Sequence, residues 1–262
     1  MQKRGRIGRK AQITIFVVIA LVIIAVFVTI FLIRSQLAPK IPGTGVQPTQ
    51  VTSQFEDGIR ECVRSNAKDA IKLLSQNAGN PEPELYTRYQ DIQYTYLCYT
   101  QLSYGACVNQ DPFIQETFER EIAVIVEREG KGCVDQILAK ARGNGFEVER
   151  QDARVDVKIK PERIEVSYLQ SILITKGRDR FSFRRFDVPL ASNLGLFLDK
   201  TNDIVNSEAR VGDYDQLTPM LLTPRLVIQK FRVDGSTLYT LRRDGEEFRF
   251  AVRSFYLPAG LY

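Results

Sequence analysis

From Ile13 to Ile33 every side chain is apolar except those of Thr14 and Thr29. A helix rises about 1.5 Å per residue, so this run spans roughly 30 Å, the thickness of a bilayer's hydrocarbon core. The pattern predicts a transmembrane helix over 13–33. The next segment, 34–52, is polar and punctuated by Pro39, Pro42, Gly43, Gly45 and Pro48, which reads as a semi-extended linker.

Beyond the linker the apolar spacing becomes helical. Ser53 and Glu56 have capping-box spacing, and Phe55, Ile59, Cys62, Val63, Ala70, Ile71 and Leu74 follow on one stripe, predicting a helix over 53–77. Gly79 and Pro81 stop it. Residues 85–104 are rich in tyrosine, and the alternation of Ile92, Tyr94, Tyr96 and Cys98 predicts a strand with one face on the core. The same tyrosines also fit a contact surface, because a phenol offers large area and a polar tip. Asp111 followed by Pro112 predicts a helix start. Its stripe, Ile114, Phe118, Ile122, Ile125, Val126, Cys133, Ile137 and Ala141, continues across Gly130 and Gly132 to a stop at Gly143 or Gly145.

From Phe146 the period drops to two. Val155, Val157 and Ile159 are followed by a turn at Pro161 and then Ile164, Val166 and Tyr168, which is a hairpin pattern. A second pair, 171–176 and 181–188, turns at Gly177, Arg178 and Asp179. Residues 190–209 read as a helix, and 225–233, 238–242 and 247–255 as a meander turning at Asp234-Gly235 and Asp244-Gly245. The expected fold class is α+β: an N-terminal transmembrane helix, a linker, two amphipathic helices linked by disulfide, then antiparallel hairpins with one further helix. The expected organisation is a basic cytoplasmic tip (1–12), the span (13–33), the linker (34–52), a helical cysteine-containing part (53–145) and a β-rich part (146–262). The last two hold some 210 residues, enough to bury a core of their own.

Charge orients the span. The formal net charge of +5 equals the contribution of Lys3, Arg4, Arg6, Arg9 and Lys10, so the remainder of the chain is balanced. Basic flanks stay on the cytoplasmic side, which places the bulk of the chain outside the cytoplasm. The basic balance therefore speaks for topology and not for a nucleic-acid partner. A cleaved secretory signal fits less well, since its apolar region runs about 7 to 15 residues, and Pro39 follows Ala38 at the small-residue site that would be cut. No Asn-x-Ser/Thr sequon occurs.

Four cysteines, Cys62, Cys98, Cys107 and Cys133, all fall beyond the span. An even count on the oxidising side points to two bridges, with three pairings open. Cys98 with Cys107 closes a short loop, and Cys62 with Cys133 joins two helices expected to face each other, which favours that arrangement. Zinc is the rival, though the spacings hold no C-x-x-C pair; other pairings and free thiols stay open.

The chain has no histidine, which removes the commonest general base and the histidine triads. Lys68 with Asp69, Lys131, and Asp213 with Asp215 are the residues a lysine dyad or carboxylate pair would recruit, but such charges ordinarily form a solvated face. Gly143, Asn144 and Gly145 lack a phosphate-loop pattern and fit a helix stop. No cofactor or metal is expected, and the chain reads as non-catalytic. Arg178, Arg180, Arg184 and Arg185, interleaved with Phe181, Phe183 and Phe186, form a candidate surface for anionic headgroups, polysaccharide or an acidic partner. Simple alternation, with rings inward and guanidinium groups in water, accounts for the same pattern.

Arg9, Lys10, Ala11, Gln12 and the apolar Ile13, Thr14, Ile15 and Phe16 resemble the class III signal peptides of archaeal pilins and archaellins. That resemblance implies processing between Ala11 and Gln12, although Phe16 stands where pilins often carry glutamate. The span, the segment Phe55 to Val63, the second cysteine helix and the β-rich half together resemble uncharacterised single-pass surface proteins of small-genome archaea. The resemblance brings no activity with it. It implies an envelope protein whose two helix cysteines are bridged. The function expected is binding or assembly in the cell envelope, with the bilayer and other envelope proteins, or further copies of the chain, as partners; alternatives are a pilin-like filament subunit and an accessory subunit of a membrane complex.

Overall fold

The computed structural model describes Ile23 and residues 48–255. The predicted span, apart from Ile23, lies outside the described residues, as do the basic tip, most of the linker and the Ala11/Gln12 processing site. Among the described residues no helix is long and apolar enough to cross a membrane.

Fourteen elements are described: α1 (Pro48–Gln76), β1 (Tyr86–Tyr89), β2 (Ile92–Tyr99), β3 (Val108–Asn109), α2 (Ile114–Gly143), β4 (Glu147–Arg150), β5 (Arg154–Lys160), β6 (Arg163–Lys176), β7 (Asp179–Ala191), α3 (Leu194–Val211), α4 (Leu217–Leu222), β8 (Val227–Val233), β9 (Ser236–Arg243) and β10 (Glu246–Arg253). The α+β class is as the sequence implies. The expected helix start at Ser53 is corrected: α1 begins at Pro48, a residue whose fixed φ and missing N–H suit a first turn, so Ser53 lies inside the helix. The second helix likewise starts three residues after Asp111. There the carboxylate accepts from Phe113 N at 3.2 Å and from Thr117 Oγ1 at 3.1 Å, capping the turn that leads into the helix. That helix then runs unbroken through Gly130 and Gly132, as its stripe requires.

Both bridges form as favoured. Cys62 joins Cys133 and Cys98 joins Cys107, with Cα separations of 6.1 and 5.3 Å. The zinc arrangement is thereby overturned, since all four sulfurs are bonded to one another.

The described residues 48–255 belong to one compact unit, so the helix-rich and strand-rich halves divide by composition and not by contact. The first sheet runs β1-β2-β10-β9-β8, with β3 also on β2. Strand β2, from the first half, lies parallel to β10, from the last, with Tyr96 opposite Ala251. The meander turns as predicted: Asp234 and Gly235, like Asp244 and Gly245, have positive φ at both positions, as tight hairpins need. Four strand spacings separate β1 from β8, about 19 Å in a flat sheet. Yet Tyr89 of β1 stacks on Phe231 of β8 with ring centroids 6.4 Å apart, so the β1–β2 hairpin curls over the outer face. Beneath it Tyr94 and Tyr96 are buried with Leu238 and Ala251, and Tyr96 Oη bonds Ser236 Oγ at 2.7 Å. The predicted strand is therefore buried on both faces, with Leu97 and Cys98 in the main core.

The second sheet is built around β6. Strand β7 pairs with it along its whole length, so β5 and β4 must share the other edge, β5 against residues 163–169 and β4 against 172–175. One extra residue on β6 shifts the register to β7 between Leu169 and Ile172. This bulge explains why Phe183 and Phe186, three apart, both turn inward while Arg184 and Arg185 between them both turn out. A single hydrophobic cluster links both sheets with α1, α2 and α3.

Candidate functional site

The four arginines singled out in the sequence do not act as one group. Arg185 is tied down: its Nε lies 2.7 and 2.9 Å from the two Asp187 carboxylate oxygens, and its Nη2 donates to Ser167 Oγ at 3.0 Å. Burial works against ionisation of Asp187, but the Ser167 hydroxyl and Arg185 outweigh it and hold its carboxyl below the ordinary value. Arg178, Arg180 and Arg184 are exposed and make no ion pair with another described residue. Phe183 packs on Phe55 at 5.2 Å and Phe186 is fully buried against Tyr168, so the rings belong to the core, though simple alternation is corrected: the bulge is what lets both face inward.

Of the lysines and carboxylates considered for chemistry, Lys68 and Asp69 are exposed on α1. Asp215 accepts from Leu217 N at 2.9 Å and from Thr218 Oγ1 at 2.5 Å, capping α4. Asp213 enters a network the sequence did not reveal. Lys230 bonds the Asp213 carboxylate and Tyr214 O, and its Nζ stands 3.7 Å from Glu208 Oε1. Glu208 is buried and accepts from the phenol of Tyr239, which is fully buried itself. Burial first, and then the Glu208 carboxylate, push that phenol far above its ordinary value. Glu208 and Tyr239 are shut off from water and Lys230 is nearly so, while the Asp213 carboxylate lies at the surface, so the cluster fastens α3 to the meander from its buried end outward.

A different place remains open. Val124, Glu127, Arg128 and Lys131 are spaced i, i+3, i+4, i+7 on α2 and therefore share one face. That face looks across a groove of about 500 Å³ at Arg150, Asp152, Ala153, Tyr168 and Gln170. The groove exists because β4 and β5 do not meet: residues 151–153 pass between them on the edge of β6, opposite the bulge. Gln151 N still reaches Ser171 O at 3.0 Å. Gln170 closes part of the gap by donating from Nε2 to Gln151 O at 2.9 Å.

That bond fixes the orientation of the Gln170 amide, because only its NH₂ can donate to a carbonyl. Its Oε1 then points elsewhere, and it has no hydrogen-bond partner among the described residues. The Tyr168 hydroxyl is in the same state. Both residues are more than nine-tenths buried, at 0% and 3% exposure for Tyr168 and Gln170. Burial pushes the Tyr168 phenol up to about 12 against the opposing pull of Arg150, so it remains protonated at neutral pH. Around this floor stand charges of both signs. Arg150 pairs with Asp135 at 2.5 Å and Arg128 with Glu129 at 2.9 Å, whereas Glu127, Lys131 and Asp152 bond no other described residue.

Lys131 was visible in the sequence as a lone cation; the rest of the groove was not. The available signal was one polar side chain among core-facing positions: 164, 166, 168, 170, 172 and 174 all face inward, and only 170 is an amide. The sequence pattern predicts two separate hairpins where the single strand β6 runs through 163–176, and Gln170 falls between the two predicted hairpins.

No family model matches the chain, no curated protein matches it, and no solved structure matches it.

Proposed function

We propose that the chain is a membrane-anchored envelope protein whose folded domain lies outside the cytoplasm and acts by binding, without catalysis. The observation that carries this reading is that all four cysteines beyond the apolar run pair into two bridges within one domain, as expected of a chain that folds in an oxidising compartment. The unbroken run 13–33 with its basic flank supplies the anchor and its direction. Arg178, Arg180 and Arg184, free of ion pairs with other described residues, give the domain a cationic edge for an acidic partner or surface. The partners fitting this reading are the bilayer and other envelope components. Protease added to intact cells should degrade the folded domain; protection in intact cells with loss after lysis would sink the reading.

A pilin-like filament subunit is the second reading, favoured by Arg9, Lys10, Ala11 and Gln12 ahead of the apolar run. Mass spectrometry of the mature N-terminus separates the two. A chain starting at Gln12 supports assembly through the apolar helix, and an intact Met1 segment supports a simple anchor.

A further inference from the structure

We propose that the groove between α2 and the β4–β5 gap binds a small zwitterion carrying a primary ammonium and a carboxylate, that is, a free amino acid or a short peptide. The inference deepens the binding role proposed above, and it stands whichever side of the membrane the domain occupies. Its basis is the mismatch between the groove's floor and its surroundings. Two buried polar atoms, Tyr168 Oη and Gln170 Oε1, have no partner among the described residues, although burial normally forces such groups to pair. The Gln170 oxygen can only accept, so whatever meets it must donate.

The charges narrow the donor. Glu127 and Asp152, each without a bonded partner among the described residues, stand beside that floor and suit an ammonium, whose three N–H groups suffice for Gln170 Oε1 and the two carboxylates, with the Tyr168 hydroxyl free to donate to a ligand oxygen. Lys131, equally unpaired and on the helical wall of the same groove, suits the carboxylate. A phosphate would meet two carboxylates. A neutral sugar would leave both signs of charge unused and finds no exposed aromatic face to stack on, since the only ring in the lining belongs to the buried Tyr168. The volume of about 500 Å³ lies in the range of small-ligand sites.

The test uses the full-length chain in detergent micelles and saturation-transfer NMR. The probes are L-alanine, L-glutamate, L-lysine and trialanine, with alaninamide, N-acetylalanine, glucose and inorganic phosphate as comparisons. Expected is transfer to at least one zwitterion at millimolar concentration. N-acetylalanine, which lacks the ammonium, should give none. Tyr168→Phe, which keeps the ring that packs on Phe186, should weaken binding by about tenfold, the equivalent of one hydrogen bond. Lys131→Met, on an exposed helical position that cannot unfold the domain by cavity formation, should weaken binding of the zwitterion and leave alaninamide unchanged. Stronger transfer to trialanine than to the free amino acids identifies a peptide as the ligand, and the reverse identifies an amino acid; either supports the assignment. Transfer to none of the zwitterions, transfer to glucose or phosphate in their place, or equal binding by wild type and Tyr168→Phe overturns it. The protease experiment can fail while this one succeeds, and the reverse, so the two readings are judged separately.

Discussion

The phenol of Tyr239 on β9 donates to the carboxylate of Glu208 on α3 where both side chains are buried. Removing the donor alone, by Tyr239→Phe, leaves an acceptor with a formal charge in a dry site and only Lys230 nearby. The expected loss is about 2 kcal/mol, because an unsatisfied buried group costs more than an average hydrogen bond contributes. Urea unfolding followed by circular dichroism measures it; an unchanged midpoint would show that solvent reaches Glu208.

The two bridges should differ in weight. In the chain-entropy model the link between Cys62 and Cys133, which spans 71 residues, stabilises by about 4 kcal/mol, and that between Cys98 and Cys107, which spans 9, by about 3. Replacing each pair by alanine and comparing Tm should rank them in that order. Non-reducing peptide mapping should recover both links from the native protein.

Gly195, in the first turn of α3, sits against the β5–β6 turn. A Cβ there would stand 2.3 Å from Lys160 O and 2.9 Å from Pro161 Cα, both backbone atoms with no room to move. Gly195→Ala should therefore destabilise by about 1 to 3 kcal/mol, the usual penalty of overpacking, although alanine is the better helix former. A thermal melt decides the sign.

Acid should weaken the fold through a small set of carboxylates. Burial opposes ionisation of Glu119, but the Ile159 N–H at 2.9 Å and the Lys158 ammonium at 3.0 Å outweigh it and hold its carboxyl below 4.5. The Lys230 bond, aided by Arg232, holds Asp213 below 3.8, and Asp187 lies below that value too. A depressed folded pKa gives stability that is complete above the ordinary value and lost as pH falls through the folded one. Tm should be level from neutral pH down to about 5 and fall below about 4. Glu119→Gln should lower Tm at neutral pH and make the acid fall shallower.

Helices and hairpins whose signals were local could be read directly. The Asp-Gly pairs at 234–235 and 244–245 put φ-permissive residues where tight turns need them, and the stripe of α2 survived two glycines because packing on β5 outweighs their propensity cost. The β1–β2 turn escaped notice because Gln90 and Asp91, neither of them glycine or asparagine, carry its positive φ values. The partnership of β2 with β10 was illegible for a deeper reason, since no local pattern specifies which distant strand will lie alongside. The candidate groove belongs to that second kind. Its walls come from α2, β4 and β6, and the local traces of it are the lone cation Lys131 and the odd amide at position 170.

Strand β2 finds its parallel neighbour in β10, whose last residues are made about 150 positions later. A nascent chain can close the β5–β6 and β6–β7 hairpins early, but the tyrosine strand must wait with one edge bare until Ala251 arrives. Folding of the first sheet is thus a late event in the life of each molecule, and any pause before the final hundred residues would leave an adhesive edge open to other chains.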